Sequence, residues 1–106
     1  MTPRALLEPA RLAGGAVLRL QTDDRLVELT RAGNDRAFDA LVERYRRPLL
    51  RYSRRLLPYG GAEDALRQAL SQAYAAIPRD DAELELRPWL FRVTHNAAVS
   101  TLRRRG

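Results

Sequence analysis

The sequence predicts an all-α protein, a compact helical bundle of three main helices plus a short N-terminal helix. Three observations predict it. Apolar residues recur at steps of three and four, and nowhere do they alternate as a strand requires. Gly33, "PYGG" at 58–61 and Pro78 close three of these repeats, as helix stops do. The chain has 106 residues, 45% hydrophobic and 30% charged, which suits one soluble domain with a modest core.

Residues 1–21 read as an N-terminal extension, with "AGG" at 13–15 interrupting any helix. Residues 22–106 read as the domain. The short helix lies in "TDDRLVELTRAG", where Thr22 or Asp23 offers an N-cap and Gly33 the stop. The first long helix spans 35–57. Phe38, Leu41, Val42, Tyr45, Leu49, Tyr52 and Leu56 form its apolar face, and Pro48 inside it should remove a hydrogen bond and bend it. Arg44, Arg47, Arg51 and Arg54 form a second stripe, which reads more readily as a solvated face than as a site. The next helix spans 62–77, with Glu63 and Asp64 suiting its positive N-terminus. Ala62, Leu66, Ala69, Leu70, Ala73 and Ile77 line its inward face, and Gln68 should lie outward. An acidic loop covers 79–87. Pro88 then opens the last helix, 88–104, with Leu90, Val93 and Ala97 facing inward.

Several function classes are excluded or disfavoured. There is no cysteine, so no disulfide, thiol nucleophile or cysteine zinc site exists, and the single histidine rules out a multi-histidine metal centre. The acids of "DDAELE" lack the glycine turn of a calcium loop. No nucleophile–base pair or phosphate-cradling glycine loop occurs, so we expect neither an enzyme nor a cofactor. No apolar run approaches the roughly 20 residues that span a bilayer, and nothing at the N-terminus reads as a signal peptide. The expectation is a cytoplasmic protein with no membrane partner.

Charge distribution carries the functional signal. The net charge is +6 and all 19 basic residues are arginine. Six arginines and no acid fall in 44–61, and five arginines and no acid in 87–106, with acidic stretches before and between. Such patches concentrate an anionic partner, most often nucleic acid, and the acidic blocks suggest a second surface for another partner. On the last helix Arg92, Asn96, Val99 and Arg103 share a face, with His95 beside them. Arginine forks suit phosphate or guanine, and asparagine can pair donor and acceptor with a base edge. Trp89 could stack a base, although core packing explains it better. The plainer alternative is a solvated basic helix end with a capping asparagine.

Three blocks in order then carry a resemblance. "DDRLVELTRAGNDRAFDALVERYRRPLLRYSRRLL", "AEDALRQALSQAYAAI" and "LRPWLFRVTHNAAVSTLRRR" resemble region 2, the N-terminal domain, of bacterial RNA polymerase sigma factors of the extracytoplasmic-function group. The resemblance implies a promoter-recognition module of transcription initiation. It implies that the helix at 62–77 docks on the clamp helices of the largest subunit of core RNA polymerase, with Asp64, Arg67, Gln68, Ser71 and Gln72 as contact residues. It implies that the loop at 79–87 and the last helix meet the non-template strand of the minus-ten element. Arg87, Trp89, Arg92, His95, Asn96, Val99, Arg103 and Arg104 are the implied DNA-binding residues, with a base flipped into a pocket under the loop. An anti-sigma factor is a further implied partner. The family usually continues into a second helical domain.

This chain departs from the family pattern. Arg67 and Gln68 stand where the family usually has Gln-Glu. Leu70 replaces an aromatic, Tyr74 a Trp, His95 an arginine and Ser100 an acid. The departures at Arg67 and Gln68 keep a second expectation open: a sigma-like regulator that has lost polymerase docking and binds only an anti-sigma partner or DNA.

Overall fold

Two of the helices begin at a side chain that caps them. Thr22 accepts the Arg25 amide on its Oγ1 at 3.1 Å, and Asn34 accepts those of Arg36 and Ala37 at 3.1 and 3.3 Å. These bonds satisfy donors that a helix start otherwise leaves open. The computed structural model describes residues 14–105. Its helices are α1 (Gly14–Arg19), α2 (Asp23–Arg31), α3 (Asp35–Leu56), α4 (Ala62–Ala76) and α5 (Leu86–Arg105), with a 3-10 turn at Ile77–Arg79. No strand occurs among the described residues. The all-α expectation therefore holds, and α3, α4 and α5 are the three main helices.

Several boundaries differ from the sequence reading. The glycine pair expected to interrupt any helix instead opens α1 at Gly14, because Leu18 is buried and repays a short helix with core contact. The rest of the extension, 1–13, lies outside the described residues, as does Gly106. Helix α5 starts two residues before Pro88, since Leu86 is buried and the Trp89 amide reaches the Glu85 carbonyl at 3.2 Å. Pro88 still sits in the first turn, where its missing N–H costs nothing. Helix α4 ends at Ala76, just ahead of Pro78 and one residue short of the expected 77, and the chain tightens into the 3-10 turn around buried Ile77. Helix α3 is continuous across Pro48.

Helix α3 is the centre of the bundle. Phe38 meets Tyr74 edge-on at 5.1 Å near one end, and Ser53 Oγ donates to the Ala62 carbonyl at 2.9 Å near the other. Helices α3 and α4 are therefore antiparallel. Tyr45 lies under Arg87, and Tyr52 meets Phe91 and His95, so α5 runs beside α3 in the same direction. The turn between α3 and α4 needs both glycines, since Gly60 and Gly61 have φ of 114° and 91°. The core holds Leu26, Leu41, Leu49, Leu66, Ile77 and Leu90, and a smaller cluster joins Leu57 to the alanines of α4 and α5. Ala65 and Ala98, absent from the expected faces, are buried because small side chains let α4 and α5 approach closely. Leu70, expected in the core, is only half-buried.

A charged staple ties α1 and α2 to α3. Arg44 Nη1 donates to Asp23 at 2.8 Å, and its Nη2 donates to the carbonyls of Arg19 and Gln21 at 2.9 and 2.7 Å. The Tyr45 hydroxyl donates to the other Asp23 oxygen. One member of the expected arginine stripe is thus structural. Burial, then the bond to Asp23, pushes the Tyr45 hydroxyl up to about 12.

Two outcomes follow from this packing. Leu66→Ala should lower stability by about 2–5 kcal/mol in denaturant melts, and Leu70→Ala by under half of that, because only the first leaves a closed cavity. The Tyr45 contribution is complete below the unfolded tyrosine value near 10 and is lost as pH rises through about 12. Stability should therefore fall by about 2–3 kcal/mol across that window, and Tyr45→Phe should flatten the fall in melts at stepped pH.

Candidate nucleic-acid interface

The fold turns one side of α5 to solvent along its whole length. Arg92, His95, Asn96 and Arg103 are exposed there, and Val99 is half-buried beside them. Their inward neighbours explain the orientation. Leu90, Thr94, Ala97 and Ala98 are buried, and Thr94 satisfies its hydroxyl on the Leu90 carbonyl at 2.8 Å. Val93, expected inward, is half-buried. Trp89 is half-buried against the core and braces the helix start.

Two of the singled-out arginines stand apart. Arg87 is exposed but sits 5.9 Å from the Tyr45 ring centre and 5.3 Å from that of Phe91, so cation–π attraction holds it towards α3. Arg104 is exposed and lies about 100° round the helix from Arg103. They flank the row rather than join it.

Sequence reasoning missed the partner of the lone histidine. The Tyr52 hydroxyl and His95 Nδ1 are hydrogen-bonded at 2.8 Å, and the Tyr52 ring packs edge-on against Phe91. When the hydroxyl donates, His95 presents its Nε2–H outward beside Asn96. The only early signal was the seven-residue spacing of Tyr45 and Tyr52, which sets both on one edge of α3.

The acidic loop is shorter than expected, 80–85, and it too is held from a distance. Arg31 of α2 donates to the Ile77 carbonyl at 3.2 Å and to the Ala82 carbonyl at 2.8 Å. The Ala82 amide donates to Asp80 at 2.8 Å. Asp80, Asp81, Glu83 and Glu85 are all exposed. No group of acids and histidines among the described residues is arranged to hold a metal ion.

A second surface opens between α3 and α4. It is a groove of about 530 Å³ whose floor includes Phe38, Val42, Leu50, Leu66 and Leu70. Asp39, Arg46, Glu63 and Arg67 are among the charges around it. Of the residues singled out on α4, Arg67 and Ser71 line this groove; Asp64 and Gln72 are exposed outside it. Arg67 donates to Asp64 at 3.0 Å within the same helix. Gln68, expected outward, is half-buried. Tyr74 completes the lining; its hydroxyl donates to Asp35 at 2.6 Å, and that bond raises its pKa above the usual value.

The described residues form an all-helical domain with a basic, acid-free helix face on one side and an apolar groove on another. Comparison with known proteins identifies its family. The profile of the Sigma-70 region 2 family matches residues 41–106, and the chain belongs to that family. It is 32% identical over 85 residues to the ECF RNA polymerase sigma-E factor of Escherichia coli K12, covering 80% of this chain and 44% of that protein. It is 32% identical over 91 residues to the RNA polymerase sigma-H factor of Pseudomonas aeruginosa, covering 85% of this chain and 47% of that protein. The chain thus spans a little under half the length of these curated relatives. Among solved structures it is similar to an engineered region 2 of sigmaE in complex with GTAAAA. The TM-score is 0.75 at 32% identity, over 81% of this chain and 90% of that one.

Arg31 should matter to the loop more than to the fold. Arg31→Ala is expected to leave the helical circular dichroism unchanged and to speed amide hydrogen exchange at 77–85 at least several-fold, since both long-range anchors of that segment are lost.

Proposed function

We propose that this domain is the promoter-reading and polymerase-docking module of a sigma factor, a binding module rather than an enzyme, acting in the bacterial cytoplasm. The observation that carries the reading is the juxtaposition of an acid-free α5 face with the acidic 80–85 loop. Phosphates are attracted to Arg92 and Arg103 and repelled from the loop. A strand lying along α5 therefore offers its uncharged bases, not its backbone, to the loop. Unstacking a base costs a few kcal/mol, which backbone contacts can offset. The likeness to a sigmaE region 2 solved with GTAAAA supports a single-stranded target of this kind.

Roles follow residue by residue. Arg92, Arg103 and Arg104 neutralise phosphates. Asn96 and the outward nitrogen of His95 offer hydrogen bonds to base edges, while Val99 gives an apolar contact. Trp89 and Arg87 hold the start of α5 in place. The α3–α4 groove takes the clamp helices of core polymerase, or an anti-sigma factor competing with them: its leucine floor suits an amphipathic helix and its mixed rim selects the register. Asp64, Gln68 and Gln72 extend that contact beyond Arg67 and Ser71. Among the described residues no helix is long and apolar enough to cross a membrane.

Substitution on α5 separates reading from attraction. Asn96→Ala should cut the preference for a GTAAAA-bearing strand over a scrambled one by about 1–3 kcal/mol, with little change for the scrambled strand. Arg103→Ala should weaken both strands alike and lower the salt slope by about one phosphate, near 0.7 for single strands. Competition anisotropy at several salt concentrations measures both. Unchanged discrimination by Asn96→Ala, with a lowered melting temperature, would make Asn96 a structural residue.

A further inference from the structure

Six arginines and no acid lie in 44–61, and the structure divides them by task. Arg44 is spent on the staple to Asp23. Arg46 lines the α3–α4 groove. Arg54 pairs with Glu63 at 3.1 Å. Arg47, Arg51 and Arg55 remain. All three are exposed, none makes a hydrogen bond or ion pair with another described residue, and they line one shallow hollow beside Leu50. Successive members are four residues apart, so they stack along one edge of α3 at steps of about 6 Å. Like charges at that spacing repel and weaken a helix, and a bound anion would relieve the repulsion.

The position of this edge is set by the seam between α3 and α5. Tyr52 follows Arg51 and precedes Arg55 by less than one turn, and it bonds His95 on the proposed DNA face of α5. Because the two helices run in the same direction, Arg51 and Arg55 continue the basic surface of Arg92 and Arg103 across that seam. No acid occurs on either side of it: 44–61 and 87–106 contain none. Within α3 the edge offers no free aromatic face, since the Tyr52 ring is packed against Phe91 and the exposed Tyr59 lies beyond the end of the helix.

We infer that Arg47, Arg51 and Arg55 of α3 form a second, sequence-independent track that binds the phosphate backbone of duplex DNA next to the single strand held by α5. The inference rests on the proposed DNA-reading role of α5. Steps of about 6 Å approach the roughly 7 Å between consecutive phosphates of one duplex strand, which rises about 3.4 Å and turns about 35° per nucleotide. An all-arginine edge with no stacking side chain fits backbone rather than unpaired bases.

The experiment compares three DNAs by anisotropy: a GTAAAA-bearing single strand, the same strand with an adjoining duplex arm, and a forked DNA with the hexamer scrambled. The Arg51→Ala/Arg55→Ala variant is set beside Arg25→Ala/Arg36→Ala, which removes the same charge elsewhere. The track predicts that the first variant loses at least tenfold affinity for both forked DNAs. It should lose under threefold for the single strand, and its salt slope on forks should drop by about two phosphates, near 0.9 each. The control variant should change all three DNAs by under threefold. Equal losses by the two variants would reduce the row to net charge and overturn the track, as would wild-type affinity for forks in a folded Arg51→Ala/Arg55→Ala protein. If the hexamer is not preferred over its scrambled form yet the fork loss persists, the base-reading role of α5 fails and the track stands.

Discussion

Burial around α3 is the constraint on which the rest of the structure depends. Leu41 and Leu49 are almost wholly shielded, and every other helix finds its place by covering another part of the same cylinder. Helix α5 takes the edge carrying Tyr45 and Tyr52. Helix α4 takes the edge beginning at Phe38 and ending at Ser53. The edge left over carries the unpaired arginines. Twenty-two residues of helix are enough to give each neighbour about six turns to work with, so three different surfaces can be held on one rigid element. Rigidity matters here because both proposed partners, a DNA strand and a helical protein, are themselves extended rods.

Electrostatics divides the molecule without help from any fully buried ion pair among the described residues. The salt bridges among the described residues are mostly exposed and individually worth little, with Arg44–Asp23 the exception because it is half-buried and shared with Tyr45 and two carbonyls. What remains after pairing is a basic side, formed by α5 and one edge of α3, and an acidic loop at 80–85. Arg31 ties that loop to α2 through carbonyl oxygens rather than through its acids. No loop carboxylate is neutralised by an ion pair among the described residues, so the loop keeps the negative charge that repels phosphate and that the proposed base capture uses.

The departures from the family pattern acquire physical content in this frame. His95, standing where an arginine is usual, is bonded to Tyr52 and stitches α3 to α5. Arg67 is engaged by Asp64 one turn away, at the groove where docking is proposed. Tyr74, in place of a tryptophan, closes on Asp35 and packs on Phe38. These three residues are each accommodated by a partner side chain, and no buried polar side-chain atom is left unsatisfied among the described residues.

Sequence pattern by itself determined the three main helices, the short helix after Thr22, most of their inward faces and the cap at Thr22, because these depend on spacing and on a side chain that bonds its own backbone. It also determined the two acid-free basic blocks. Pattern could not determine where an element begins when a distant contact decides it, as Leu18 does for α1 and Leu86 for α5. Nor could it tell half-buried Leu70 and Gln68 from core and surface, since a groove exists only once a second helix stands beside the first. The division of one arginine run into staple, groove rim, ion pair and free row belongs to tertiary structure alone. So does the bond from Tyr52 to His95. Both depend on which helix edge faces which neighbour, and that is fixed by packing between helices, 43 residues apart in the chain for Tyr52 and His95.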